Sequence, residues 1–324
     1  MLKESLSVVV PIYNESLNIP ILYERLTLVL ERMGNPYEVI CVDDGSKDNS
    51  FAALTEIAQK DTKIKVIHFR HNFGQTAALA AGIEASSGDI VILIDSDLEN
   101  DPEDIKTIVD MMGEGYDVVS GWRKNRWKGE FFTRKIPSLA ANSLISKVTG
   151  LQLHDFGCTL KGYRRDIIKN IILYGEMHRF IPAYAKRQGA RIGEVEVRFA
   201  PRIHGKSNYG FTRVLRVLPD LLLLKFLEKF MNRPMHFFAY AGFWSFFFSF
   251  LILIVAVVLR FAMHIDLIQT PLPTLSGVLL IIGTQFFLMG IIAEMMMRTY
   301  YESQGKRPYM IKKTINLDDE IKKI

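Results

Sequence analysis

The chain has 324 residues, 49% of them hydrophobic and 11% aromatic, and a formal net charge of +5. That length allows one large domain with an appendage, or two domains. The charge is too mild to point to nucleic acid and suits an anionic membrane face better. The apolar share is high for a wholly soluble enzyme.

Met1 to Ser7 runs directly into a strand pattern, so no leader peptide is expected. Short β-rich runs follow at 6–10 (LSVVV), 37–42 (YEVICV), 64–69 (IKVIHF), 90–94 (IVILI) and 117–120 (DVVS). Helical patterns lie between them at about 16–33, 49–60, 75–86 and 102–113. Strands alternating with helices of this length predict a mostly parallel sheet covered on both faces. Such open sheets bind ligands beyond the carboxyl ends of their strands.

Those carboxyl ends are polar. Pro11, Tyr13, Asn14 and Glu15 follow the first run, and Asp43, Asp44, Gly45 and Ser46 the second. Arg70, His71, Asn72 and Gly74 follow the third, and Asp95, Ser96 and Asp97 the fourth. Taken singly, each is also an ordinary turn or helix cap. A shared sheet edge makes them one crevice. Asp95, Asp97, Glu99 and Asp101 alternate along "DSDLEND", and close like charges repel unless solvent or a cation intervenes. Asp101-Pro102 has the form of a helix start. No G-x-G-x-x-G follows the first run and no Walker A sequence occurs. A site built from acids rather than glycines must recruit a metal to hold phosphates.

From Arg123 the pattern changes. Arg123, Arg126 and Arg134 are basic, residues 134–150 have an amphipathic pattern, and 154–166 is a polar loop passing into a helix. Residues 189–210 predict another strand and a basic loop. Residues 211–231 alternate apolar and basic positions at helical spacing, which predicts an interfacial helix, with an ordinary packed helix as the alternative. Residues 234–259 and 267–293 contain no Asp, Glu, Lys or Arg, so each is long and apolar enough to span a bilayer. Two buried core helices are the alternative. Lys225, Lys229 and Arg233 precede the first stretch, and Arg298, Lys306, Arg307, Lys312 and Lys313 follow the second. The positive-inside rule then places both termini in the cytoplasm. Gly283, Gly290 and Gln285 could support helix association, so a homo-oligomer is expected. Cys41 and Cys158 are expected as reduced thiols. His71, His154 and His178 have no spacing that indicates zinc.

The stretches "VVVPIYNE" (8–15), "VDDGSKDNS" (42–50), "RHNFGQTAAL" (70–79), "DSD" (95–97), "GWR" (121–123), "DFGCTLKGYRRD" (155–166) and "RIHGKSNYG" (202–210) occur in this order. Together they resemble the family-2 glycosyltransferases of the GT-A fold, and within them the polyisoprenyl-phosphate glycosyltransferases. The resemblance runs over essentially the whole chain and includes two C-terminal spans. It departs at Gly205-Lys206-Ser207-Asn208, where mannose synthases commonly read G-x-S-K. The Q-x-x-R-W motif of processive synthases is missing, since Arg123 stands where it needs Gln ahead of Arg126-Trp127.

The fold that the resemblance implies is α/β: a Rossmann-like GT-A catalytic domain over 1–210, an interfacial helix over 211–233, a transmembrane hairpin over 234–297 and a cytoplasmic tail over 298–324. The implied reaction is an inverting, metal-dependent transfer of one sugar from a nucleotide-sugar to polyprenyl phosphate at the inner cell membrane, with UDP-glucose or a related UDP-hexose favoured; transfer to another membrane lipid such as diacylglycerol, or a catalytically inactive membrane scaffold, are the alternatives. Pro11, Tyr13, Glu15, Asp43, Asp44, Asn72, Gly74, Ser96 and Arg123 would bind the nucleotide-sugar. Asp95 and Asp97 would hold Mg²⁺ or Mn²⁺, hard cations that take oxygen ligands. Arg126, Arg202, His204, Lys206 and Ser207 would hold the acceptor phosphate. Asp155 would orient the acceptor or act as a weak base, with a helix cap as its plain alternative.

Overall fold

The computed structural model describes residues 3–124, 142, 145–146, 149–171, 173, 177–200, 234–302 and 309–317. Chain contacts divide it into a sheet unit and a helical hairpin.

The sheet unit holds eight strands in the order β7-β5-β6-β4-β1-β2-β3-β8. The β-branched runs form β1 (Leu6–Ile12), β2 (Tyr37–Asp43), β3 (Ile64–Phe69), β4 (Ile90–Leu93) and β5 (Val118–Trp122). Strand β1 pairs in parallel with β2 and β4, and β2 with β3. Strand β7 (Ile192–Glu196) pairs in parallel with β5. Valines 8, 9 and 10 and Ile92 are fully buried, as residues in a strand covered on both faces must be.

Helices α1 (Ile19–Met33), α2 (Ser50–Lys60) and α4 (Asp104–Gly113) supply one apolar layer, through Leu26, Leu30, Leu54 and Ile108. On the other face α3 (Gln75–Ala85), α5 (Arg165–Lys169) and α6 (Ile181–Arg187) pack Leu79, Ile83, Ile168 and Ile181 against the strands. Asp101 supports the start of α4 as its sequence suggests. Its Oδ1 accepts the Glu103 amide at 3.1 Å, and Asp101 also pairs with Arg198 at 3.2 Å.

Two strands fall outside the sequence expectation. The 154–166 loop enters β6 (Lys161–Arg164), antiparallel to both β4 and β5, before the short α5. Two of the four residues of β6 are basic, which disguised it as a loop. Gly162 is required there, because a Cβ would stand 2.5 Å from Ile108 and 2.8 Å from Met112.

The second missed strand is β8 (Ile311–Ile315), which lies in the segment read as a tail and pairs antiparallel with β3. Tyr309 stacks on Phe69 at 5.1 Å, and Asn316 Nδ2 donates to Ala58 O at 2.6 Å and Ile64 O at 2.9 Å. Tyr309→Ala is expected to cost about 2 kcal/mol by exposing this buried ring's site. Hydrogen exchange of the β3 and β8 amides measures it, with protection falling at that edge first.

The hairpin consists of α7 (Pro234–Met263) and α8 (Leu272–Glu302). Within them 27 and 22 consecutive residues are apolar enough to cross a membrane. Large apolar side chains such as Phe250, Phe261, Leu280 and Ile281 face outward, which a soluble core helix would not do. Ser249 Oγ donates to Ser276 O and Ser245 Oγ to Leu279 O, both at 2.7 Å. A Cβ on Gly283 would stand 2.9 Å from Phe246, and one on Gly290 2.8 Å from Met235. These two glycines therefore serve close contact between the two helices of the hairpin. Gln285 is exposed on α8. The expected interfacial helix at 211–233 lies outside the described residues.

Candidate active site

The carboxyl ends of β1, β2, β3 and β4 meet as expected, and backbone geometry explains how. Gly45 has φ +66°, and a Cβ there would stand 2.4 Å from the His71 carbonyl carbon. Only glycine lets the β2 loop lie against the β3 loop.

Asp43 is fully buried; its Oδ2 bonds His68 Nδ1 at 2.8 Å and its Oδ1 accepts the Ser46 amide at 3.0 Å. Asp44 accepts the Phe73 and Gly74 amides at 2.7 and 2.9 Å, which fixes the turn before α3. Both aspartates thus shape the pocket wall from within. Tyr13 is exposed, Asn14 adopts φ 57°, and Glu15 accepts Asn18 Nδ2 at 2.6 Å. Asn72 is exposed beside Gly74. Ser96 spends its hydroxyl on Pro11 O at 3.0 Å and so ties the end of β4 to the end of β1.

Asp95 and Asp97 open into a cleft of about 610 Å³, together with Glu99 and Arg123. Gln75 Nε2 donates to Asp95 Oδ1 at 2.8 Å. Asp97 Oδ1 accepts the Glu99 amide at 3.1 Å. Burial first, and then the charge of Asp97, push the Asp95 carboxyl up to about 6. Folded Asp95 therefore keeps a proton that the unfolded chain releases near 3.8. Its contribution to stability is fully present below the unfolded value and is lost as pH rises through about 6. A thermal unfolding series without divalent ion, from about pH 4 to about 7, is expected to decline over this window. Asp95→Asn should flatten that decline.

Among the described residues, no three His, Cys, Asp or Glu side chains form a ready metal site. Asp95 and Asp97 alone are a hard-oxygen pair, which fits a Mg²⁺-type ion that completes its shell with substrate phosphates and water.

Arg123 and Asp155, expected at opposite substrates, meet each other. Arg123 Nε donates to Asp155 Oδ2 at 2.8 Å and Nη2 to Oδ1 at 3.2 Å, while Nη1 lies 3.7 Å from Glu99. Both residues are buried. The helix-cap alternative for Asp155 fails, because β6 follows it and the next helix begins at Arg165. Instead Asp155 Oδ1 accepts the Gly157 amide at 3.0 Å and closes a turn.

The cleft also recruits residues that the sequence does not advertise. Lys161, only 3% exposed, donates Nζ to Phe156 O at 3.3 Å and to Cys158 O, and burial lowers the pKa of its ammonium. His178 Nδ1 bonds Thr76 Oγ1 at 2.7 Å. Burial, helped by Arg179 and Lys161, brings His178 down to about 3, so the ring is neutral. Thr159 and Arg179 complete the lining. A lysine in a short basic run and a lone histidine carry no sequence signal of burial, and Lys161 opens a strand, β6, that its basic residues disguise. Cys41 and Cys158 are buried free thiols, as expected. Arg126, Arg202, His204, Lys206 and Ser207 lie outside the described residues.

A mostly parallel sheet with an acidic cleft at its carboxyl edge is the frame of a GT-A glycosyltransferase. The chain matches the family Glycosyl transferase family 2 over residues 7–172, and it belongs to that family. It is 40% identical over 311 residues to dodecaprenyl-phosphate galacturonate synthase of Rhizobium johnstonii, covering 95% of this chain and 92% of that one. It is 34% identical over 315 residues to undecaprenyl-phosphate 4-deoxy-4-formamido-L-arabinose transferase of Pectobacterium carotovorum, covering 97% and 94%. Among solved structures, Mycobacterium tuberculosis glucosyl-3-phosphoglycerate synthase, in complex with Mn²⁺ and UDP-glucose, has a TM-score of 0.53. It is 20% identical, covering 68% of this chain and 79% of that one, and the likeness is one of fold.

Proposed function

We propose that this enzyme moves one sugar from a UDP-sugar to a polyprenyl phosphate at the cytoplasmic face of a membrane. The observation that carries the reading is the Asp95–Asp97 cleft at the carboxyl edge, in a chain that also holds two apolar helices. The acceptor is supported by the two relatives, whose names each state a polyprenyl phosphate. Strand β8 follows α8 in the chain yet pairs with β3, so a chain that leaves through the hairpin returns to the sheet it left. That connectivity supports two crossings, with both flanks on one side. The basic residues at those flanks favour the cytoplasm.

Pro11, Tyr13, Glu15 and Asn72 border the nucleotide, with Asp43, Asp44 and Gly74 holding the loops that carry them. Asp95 and Asp97 would hold Mg²⁺ or Mn²⁺, which when bound neutralises charge on the departing diphosphate. Arg123, kept rigid by Asp155, presents a fixed cation beside the diphosphate. A phosphate monoester has a second pKa near about 6 and is mostly dianionic at neutrality, so the acceptor needs orientation more than a strong base. Its oxygen attacks the anomeric carbon, and the electron pair of the breaking bond leaves with the nucleotide. The configuration inverts and no covalent enzyme intermediate forms. Arg126, Arg202, His204, Lys206 and Ser207 are the candidates to hold the acceptor phosphate, on their chemistry.

The test is incubation of the full chain in membranes with labelled UDP-sugar, divalent ion, and either undecaprenyl phosphate or diacylglycerol. Label is expected in the polyprenyl lipid. A product formed only with diacylglycerol overturns the acceptor.

A further inference from the structure

The segment that follows the apolar hairpin in the chain reaches the carboxyl edge of the sheet. Strand β8 pairs with β3 through Val66–Ile315, Ile67–Thr314 and His68–Lys313, and then skips Lys312, so that Phe69 stands opposite Ile311. Such a bulge bends a strand and re-aims the residues beside it. Directly after it comes the 70–74 loop, where His71 and Asn72 lie exposed at the carboxyl edge.

Two contacts carry the C-terminal segment into that loop. The Arg70 amide donates to Met310 O at 3.1 Å, which extends the ladder past the end of β3. Tyr309 stacks on the buried Phe69 ring, Phe73 meets Phe69 at 87° with centroids 5.6 Å apart, and His71 stacks on Phe73 at 3.8 Å. A row of four rings thus runs from Tyr309 to an exposed side chain of the loop. Tyr309 Oη donates to Glu84, 225 residues away on α3, which fixes the inner end of the row. Asp44 holds the Phe73 and Gly74 amides, and so the end of the loop. Its beginning rests on Met310, and its aromatic side on Tyr309.

A loop ordered by such contacts meets its ligand in one conformation. One that loses them is competent for only part of the time, and its apparent affinity falls by that fraction. We propose that Tyr309 is a positioning residue of the donor site: through Phe69 and Phe73 it holds the 70–74 loop in the shape that receives the nucleotide. The proposal rests on reading the carboxyl edge as a nucleotide-sugar site. It makes residues beyond the hairpin part of donor binding, with Tyr309 acting through other side chains and not by touching the nucleotide.

The test is calorimetric binding of UDP, with Mn²⁺, to the full chain in lipid nanodiscs, beside the thermal midpoint of each variant. Tyr309→Ala is expected to raise the UDP Kd about 10-fold, whereas Tyr309→Phe, which keeps the ring, should stay within about twofold. Leu317→Ala trims the same buried cluster just past the other end of β8, and should lower the midpoint with the UDP Kd unchanged. Where Tyr309→Ala gives no folded chain, Tyr309→Leu keeps apolar bulk without the stack and should weaken UDP about threefold. A UDP Kd unmoved by loss of the ring shows that β8 only stabilises the sheet edge, and overturns the proposal. Equal weakening by Leu317→Ala does the same. Absence of UDP binding in the unaltered chain removes the nucleotide reading as well.

Discussion

Asp97→Asn is expected to lower sugar transfer about 10³-fold, the scale seen when one preorganised electrostatic group at a developing charge is removed. Asp97 is buried in the cleft, and its Oδ1 accepts the Glu99 amide. Asparagine keeps the shape and can still accept that amide, but it loses the charge that would hold a divalent ion. The fold should therefore survive, with the thermal midpoint little changed. A second readout separates electrostatics from damage. Because the charge of Asp97 helps raise Asp95, the variant should let Asp95 ionise at lower pH. Labelled transfer measured across a Mn²⁺ titration checks the main effect. Undiminished transfer by Asp97→Asn would instead show that this carboxylate does not hold the ion on which transfer depends.

Asp155→Ala is expected to cost about 3–5 kcal/mol locally, the range for breaking a buried ion pair by removing one partner. Arg123 would then be left buried without its bidentate partner, with Glu99 3.7 Å from Nη1. Hydrogen exchange should show lost protection across β6 and the turn before it. Replacing both partners by apolar residues should recover much of the stability, because the uncompensated charge disappears. Activity should not recover with it, since the fixed cation beside the diphosphate is gone. If Asp155→Asn instead keeps full stability while altering the pH profile of transfer, Asp155 acts on the acceptor as a base.

The branched runs at β1 to β5 and the charge-free stretches at 234–259 and 267–293 were legible in the sequence because periodicity and length alone define such elements. The polar clusters were legible for a related reason: in a parallel sheet, consecutive strands end at one edge, so residues far apart in the chain become neighbours by topology. What pairs across that edge was decided only in three dimensions. Arg123 and Asp155 are 32 residues apart, and nothing local says that each neutralises the other. Strands β6 and β8 carry lysines that read as solvent-exposed. In the fold, β6 is central in the sheet and Lys161 is buried beneath the cleft, while β8 keeps Lys312 and Lys313 outward on an edge. Charge marks a residue as exposed only where the chain has no internal carbonyls to offer it. Tertiary packing supplied those carbonyls, and with them a lysine in the lining of the cleft.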